Sequence, residues 1–245
     1  MLHIAKYTKA QAGPILSHYE NEEYRRHSSS VNPERTPLNV SYQIDGNNKR
    51  GHDRLKELLE RDDVYCSPRK DVKVLFDTVI TAPLNLPKDR EMEFFNHAAR
   101  FISDRFSQAA IISINLHYDE NSYYDKEGIN KGAVRPHAHI AMCPTVWDKK
   151  KERWKVSAKE TITKETLLTL HQDFKRYIDS AMGLDLEILN GATTEANKSI
   201  LELKTDTLNK EIQSQENEIQ QNVSDIKKLN KTKNRLQGDL YELVR

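Results

Sequence analysis

Two runs decide the fold: Ala109-Ala110-Ile111-Ile112-Ser113-Ile114-Asn115-Leu116-His117 and Val134-Arg135-Pro136-His137-Ala138-His139-Ile140-Ala141-Met142-Cys143-Pro144. Both are short, apolar and bounded by polar or proline-containing sequence, which reads as buried strand. Side chains alternate faces along a strand, so His137 and His139 point one way and Ala138 the other. His117 ends the first run. If the two runs pair in one sheet, three imidazoles converge on one point. A lone His-x-His pair is more often packed or surface-exposed than metal-binding. Here the pair lies in an apolar strand and has a third histidine to meet. Three neutral imidazoles with positions left open suit a divalent transition metal in catalysis, not a closed structural site. Asp119 and Glu120 follow His117 closely. Either can ligate the metal or hold a ligand imidazole by its second ring nitrogen, and the second role is expected for Glu120.

Outward from this centre, residues 72–81 predict a strand rich in β-branched and aromatic residues. Residues 87–106 predict a helix, with Met92, Phe95, Ala98, Ala99, Ile102 and Phe106 at helical spacing. A second helix is expected over 163–182, ending before Gly183, and a shorter one over 52–61. Pro14 suits a first helical turn, so a helix is expected from there through Ile15, Leu16, His18 and Tyr19. Further strands are expected over 1–7, 38–44, 154–156 and 185–189, and residues 121–134 read as a polar insertion. The alternation lacks regular βαβ spacing. The expected fold class is therefore α+β: a mostly antiparallel sheet flanked by helices.

From about Thr194 the character changes, with no proline and a single glycine. Leu201, Leu208, Leu229, Leu236 and Leu243 fall on one heptad position, and Thr205, Ile212, Ile219, Ile226, Lys233 and Leu240 on its companion. Ile at one seam position and Leu at the other is the preference of a parallel two-stranded coiled coil. Gln215, Asn222 and Lys233 interrupt the seam. The expected organisation is a domain over 1–192 and a long C-terminal coiled-coil helix over 193–245, able to form a homodimer. Acidic and basic residues balance from Glu195 onward, so this helix is not a basic arm for gripping DNA.

Composition bounds the rest. Apolar residues make up 37% and charged residues 31%, with a net charge of +1. Near-neutrality does not announce nucleic-acid binding, although basic residues cluster at Arg25-Arg26, Lys49-Arg50, Arg69-Lys70 and Lys149-Lys150-Lys151. The two cysteines form no spaced pair. No apolar run reaches the roughly 18 residues of a membrane span. A cytoplasmic protein without disulfides or membrane insertion is expected.

Pro136-His137-Ala138-His139 resembles the histidine–hydrophobe–histidine motif of the HUH endonucleases. More specifically, the chain resembles the plasmid mobilisation relaxases of the Mob/Pre (MobV) family. Those carry a His-x-Asp-Glu segment before Pro-His-x-His, here His117-Tyr118-Asp119-Glu120. They also carry an N-terminal histidine followed by Asn-Pro-x-Arg-x-x-Leu-Asn. Here these are His18 and Asn32-Pro33-Glu34-Arg35-Thr36-Pro37-Leu38-Asn39. The resemblance covers about residues 1–190 and is sharp in these three patches.

The resemblance implies a metal-dependent relaxase. It would nick one strand at an origin of transfer and form a covalent 5′-phosphoryl–enzyme intermediate. Plasmid or transposon mobilisation would follow. It implies His117, His137 and His139 as ligands of Mn2+ or Mg2+, Glu120 as a catalytic partner and His18 as nucleophile, with Tyr19 and Tyr24 as alternatives. The arginine expected three residues after His18 is replaced by Asn21, which leaves Arg25 or Arg26 to meet the phosphate. Arg35 and Asn39 are expected to position DNA or support the active site. Expected partners are single-stranded or supercoiled origin DNA and a transfer-machinery coupling protein. A rolling-circle replication initiator or HUH transposase is the alternative within the superfamily. A non-catalytic dimeric origin-binding protein is the alternative of another class.

Overall fold

A computed structural model describes residues 2–20, 31–42, 49–120, 135–188 and 200–243. Two compact units divide the chain, one carrying both sheets and one carrying the last helix. In order the elements are β1 (Leu2–Thr8), α1 (Lys9–Glu20), β2 (Val40–Ser41), α2 (Gly51–Leu59), β3 (Val64–Tyr65) and β4 (Lys73–Thr81). There follow α3 (Glu91–Arg105), β5 (Ala110–His117), β6 (His137–Cys143), β7 (Thr145–Asp148), β8 (Arg153–Val156), α4 (Ala158–Thr161), α5 (Lys164–Met182) and α6 (Ile200–Leu243).

Among the described residues the main sheet has the order β1-β4-β6-β5-β2, and every pair in it is antiparallel. The mixed α/β class with an antiparallel sheet is therefore established. β6 lies at the centre and is buried along its whole length. Its alternate residues serve two cores. Ala138, Ile140 and Met142 face α3 and α5, where Phe94, Phe95, Ile102, Phe174 and Ile178 close the larger cluster. Ala141 and Cys143 face α1 and α2, with Ala12, Leu16, Tyr19 and Leu55. Burying one such aromatic or aliphatic side chain contributes about 1.5–3 kcal/mol. The larger cluster thus fixes the sheet, and the smaller one docks α1 against it.

Several elements differ from the reading of the sequence. α1 starts at Lys9, not Pro14. The Gln11 side-chain oxygen accepts from Thr8 N (3.0 Å) and Thr8 Oγ1 (3.1 Å), capping the helix earlier and leaving Pro14 inside it. In α3 the buried face uses Phe94, while Met92 is 41% exposed. The strand expected over 38–44 is reduced to Val40–Ser41. Pro37 lies in a 3-10 turn, Thr36–Leu38, and residues 43–48 lie outside the described set. Residues 185–188 pair with no strand among the described residues. Their amides turn to side chains instead, Leu186 N to Asp179 Oδ1 (3.1 Å) and Glu187 N to Asn85 Oδ1 (2.9 Å). A second sheet, β3-β8-β7, contains two strands, β3 and β7, that the periodicity did not reveal. α5 begins and ends where its residues dictate: Thr163 Oγ1 accepts from Thr166 N (3.1 Å), and Gly183 closes the helix at φ +65°.

The second unit, over its described residues, is one continuous helix, α6, of 44 residues. Leu208, Ile212, Ile219, Ile226, Leu229, Leu236 and Leu240 are all exposed on it.

Candidate metal centre and nucleophile

The register of the central strands assembles the site. His117 pairs directly with His137, and Asn115 pairs with His139. Directly paired residues share a face, so the three imidazoles stand together on the α1 side of the sheet. One nitrogen from each ring lies within 4.8 Å of the others, the spacing of a shared cation. All three are at least nine-tenths buried.

Each ring is held from outside by an acceptor. His117 Nε2 donates to the backbone oxygen of Tyr19 at 3.0 Å. Tyr19 lies in the last turn of α1, where carbonyls lack intrahelical partners, so the histidine also satisfies the helix end. His137 Nδ1 donates to Arg135 O at 3.1 Å. His139 Nδ1 lies 2.7 Å from Asp77 Oδ2. A carbonyl oxygen can only accept, so in neutral rings the protons sit on His117 Nε2 and His137 Nδ1; the Asp77 carboxylate fixes His139 in the same way. In those tautomers His117 Nδ1, His137 Nε2 and His139 Nε2 are the nitrogens that would present lone pairs to a cation. That donor set fits a divalent metal, with each ligand ring oriented by its second nitrogen.

Asp77 was not singled out from the sequence. It sits in β4 opposite Ala141, one pleat from Val79, which pairs with His139. It is fully buried and also accepts from the Tyr19 hydroxyl at 2.7 Å. Its other oxygen, Oδ1, is buried with no hydrogen-bond partner. The available signal was one acidic residue inside an otherwise apolar strand, which is costly unless it serves polar neighbours.

Glu120 faces the opposite side of the triad from these outer acceptors. Its oxygens lie 3.3 Å from His137 Nε2, 3.6 Å from His117 Nδ1 and 3.4 Å from His18 Nε2. It therefore meets the inward nitrogens and links them to His18, a third exposed at the end of α1. Burial alone would raise the Glu120 carboxyl, but hydrogen bonds from His137 and His18 and the charges of His137 and His117, when protonated, outweigh it. The carboxyl is held below the usual carboxylate range.

Asp119 turns away from the triad. Its carboxylate accepts from Thr36 Oγ1 (2.9 Å) and Asn39 Nδ2 (2.8 Å), while Asn39 Oδ1 accepts from Tyr118 N (2.7 Å). Asn32 N donates to Asp119 O, and Val31 bridges to Glu120. The Asn32–Asn39 segment thus clamps the backbone that carries Glu120, and both ends of the Asn39 amide are engaged by protein. Arg35 nearby has its Nε buried without a partner.

Tyr19 stacks on His139 with ring centroids 3.9 Å apart. Burial and the neighbouring Asp77 charge push its phenol far above the ordinary range, so it stays protonated. Tyr24, Arg25, Arg26 and the insertion at 121–134 lie outside the described residues.

The fold and site define a class: mixed α/β proteins whose central antiparallel sheet presents a His-x-His strand and a partner histidine to one point beside a helix-borne histidine. Within that class, the family model described as "Plasmid recombination enzyme" (Mob_Pre) matches residues 1–187, and the chain belongs to this family. A plasmid recombination enzyme of Bacillus sp is 23% identical over 180 residues, covering 71% of this chain and 39% of that protein. One of Bacillus thuringiensis is 22% identical over 263 residues, covering 99% of this chain and 54% of that protein. The chain thus spans about half the length, or less, of these curated relatives. Among solved structures, a Mn-bound MobM relaxase domain in complex with plasmid pMV158 oriT DNA is similar at a TM-score of 0.62. It shares 20% identity, with 84% of this chain and 97% of that one covered. A second MobM–oriT complex gives a TM-score of 0.61 at 20% identity, covering 85% and 97%. At this identity the likeness carries the fold.

Proposed function

We propose that the chain is a metal-dependent DNA relaxase that nicks one strand at an origin of transfer. The observation that carries this reading is the triad itself: three imidazoles, each held from outside, with His117 Nδ1 and His137 Nε2 beside Glu120 and, through it, His18. A Mn2+ or Mg2+ ion held by His117, His137 and His139 would hold the scissile phosphate in line and stabilise charge on its non-bridging oxygens. His18 is the proposed nucleophile. Glu120 fixes its ring and raises the nucleophilicity of the lone-pair nitrogen, as a carboxylate does for a catalytic imidazole. Attack forms a nitrogen–phosphorus bond to the 5′ side and breaks the phosphorus–O3′ bond, and the leaving 3′ oxygen takes up a proton. The covalent link conserves the bond for rejoining. Tyr19 is the poorer candidate because its hydroxyl is committed to Asp77; Tyr24 remains the alternative.

Asn39 acts here as support for Glu120, while Arg25, Arg26 and Arg35 supply positive charge for DNA phosphates. Residues 1–192 are the relaxase domain and 193–245 the oligomerisation segment; the exposed Ile and Leu seam of α6 suits a parallel homodimer. Origin DNA in the cytoplasm is the substrate, and a coupling protein of the transfer machinery is a further partner. No described helix is long and apolar enough to cross a membrane.

The test is conversion of supercoiled plasmid carrying the cognate origin to nicked circles with Mn2+ or Mg2+. Wild type is expected to nick and His117→Ala and His139→Ala are not; equal behaviour of all three sinks the enzymatic reading. Mass spectrometry of the peptide left on a suicide oligonucleotide assigns the link to His18 or to a tyrosine. A donor-strain mobilisation assay separates a relaxase from a replication initiator or transposase.

A further inference from the structure

A groove of about 630 Å³ lies in the first unit, between the β1–β4 edge of the main sheet and the α4–α5 corner. Lys6, Lys73, Lys159 and Lys164 line it, over a floor that includes Ala158 and the buried Ile162. None of the four lysines is in an ion pair among the described residues. Lys155 and Lys175, by contrast, are each held by two carboxylates. The acid in the lining, Glu165, is already engaged by its own backbone amide and the Thr163 side chain at the start of α5. Thr163 caps the Thr166 amide as well, and the four lysines outnumber the single carboxylate, which leaves the groove net positive.

The register places this charge relative to the triad. His3 of β1 pairs with Val79, which pairs with His139, whereas Lys6 pairs with Phe76. Lys6 therefore lies three residues, about 10 Å, along the edge strand from the His139 row. It shares the alternation of Leu2 and Ile4, so it stands on the sheet face opposite the histidines. β1 is an edge strand among the described residues, so the histidine face and the lysine face of the sheet adjoin around it.

We propose that this groove is a second DNA-backbone contact, carrying sugar–phosphate that wraps around β1 away from the triad. Lysines are mobile point charges on long stems, suited to following successive phosphates without reading bases. Four of them from separate elements, with no arginine fork among them, fit a polyanion better than a single small phosphate. The inference rests on the relaxase reading, because it takes DNA as the ligand.

The probe is a mixed-sequence oligonucleotide in single-stranded and duplex form, followed by fluorescence anisotropy across a salt series. It compares wild type with the variant Lys6→Gln/Lys73→Gln/Lys159→Gln/Lys164→Gln. Each phosphate contact contributes about 0.7 to the salt slope on single strands and about 0.9 on duplex, so the variant's slope should be shallower by roughly 3. Its affinity at low salt should be about tenfold weaker or more. Circular dichroism melting and Mn2+ binding equal to wild type confirm that fold and triad are untouched. If the fourfold variant fails to fold, Lys159→Gln/Lys164→Gln, both exposed, should give about half the change in slope. Wild type and variant with equal slopes overturn the groove and leave the relaxase reading standing. Wild type that binds neither oligonucleotide overturns both.

Discussion

The two faces of β6 make opposite demands on one strand. On one, Ala138, Ile140 and Met142 enter a large apolar core closed by α3 and α5. On the other, His137 and His139 stand beside His117 on the face covered by two short helices, α1 and α2. Chemistry occupies the thinner cover, and the thicker core holds the strand rigid beneath it. A centre that must orient three rings gains from ligands on strands fixed from behind, because the backbone then needs no reorganisation when a cation arrives.

That division predicts which substitutions cost stability and which cost binding. Ile140→Ala should lower unfolding free energy by about 2–5 kcal/mol, read by urea denaturation, with Mn2+ binding to the folded protein preserved. His137→Ala, whose partners are a backbone carbonyl and the part-exposed Glu120, should leave metal-free stability much closer to wild type; a larger loss than Ile140→Ala would contradict this division. Asp77→Asn sharpens it, since it alters neither core nor ligand but weakens the hold on His139 Nδ1. Losing such an outer partner typically costs 10–100-fold in metal affinity, which calorimetric titration with Mn2+ would register. Asn39→Ala leaves Asp119 and the Tyr118 amide each short of a partner, worth about 1–3 kcal/mol locally. Hydrogen exchange at Tyr118 should quicken while exchange in β4 stays unchanged.

Acid gives the smallest effect. Glu120 is held below its ordinary range in the folded chain, so its contribution is present above the unfolded carboxylate value, about 4.3, and is lost as pH falls below it. Metal-free stability should therefore decline less steeply on acidification in Glu120→Gln than in wild type. Equal slopes would mean that the histidines do not hold that carboxylate.

Much of this was legible in the chain. The runs 109–117 and 134–144 contain β5 and β6, Ala110–His117 and His137–Cys143, because apolar runs bounded by polar sequence have few other places to go. Alternation alone placed His137 and His139 together, and one antiparallel pairing brought in His117. The long helix was equally plain from its heptads. Asp77 was hidden because its partners come from β6 and from α1, and no local pattern encodes that meeting. Glu120 was expected behind a ligand ring, whereas Asp77, Arg135 O and Tyr19 O take those places and Glu120 lies on the inner side. Pro14 misled because the Thr8–Gln11 cap outweighs a proline's preference for the first turn. Strands β3 and β7 are too short for periodicity to show, and their pairing is a tertiary matter.

The most direct test of the account is a Mn2+ titration of the metal-free chain at pH 7, followed by calorimetry and by electron paramagnetic resonance sensitive to bound nitrogen. One site per chain with imidazole nitrogens on the metal is expected, absent in His139→Ala. Titrations indistinguishable between wild type and His139→Ala, with no nitrogen coupling in either, would contradict it.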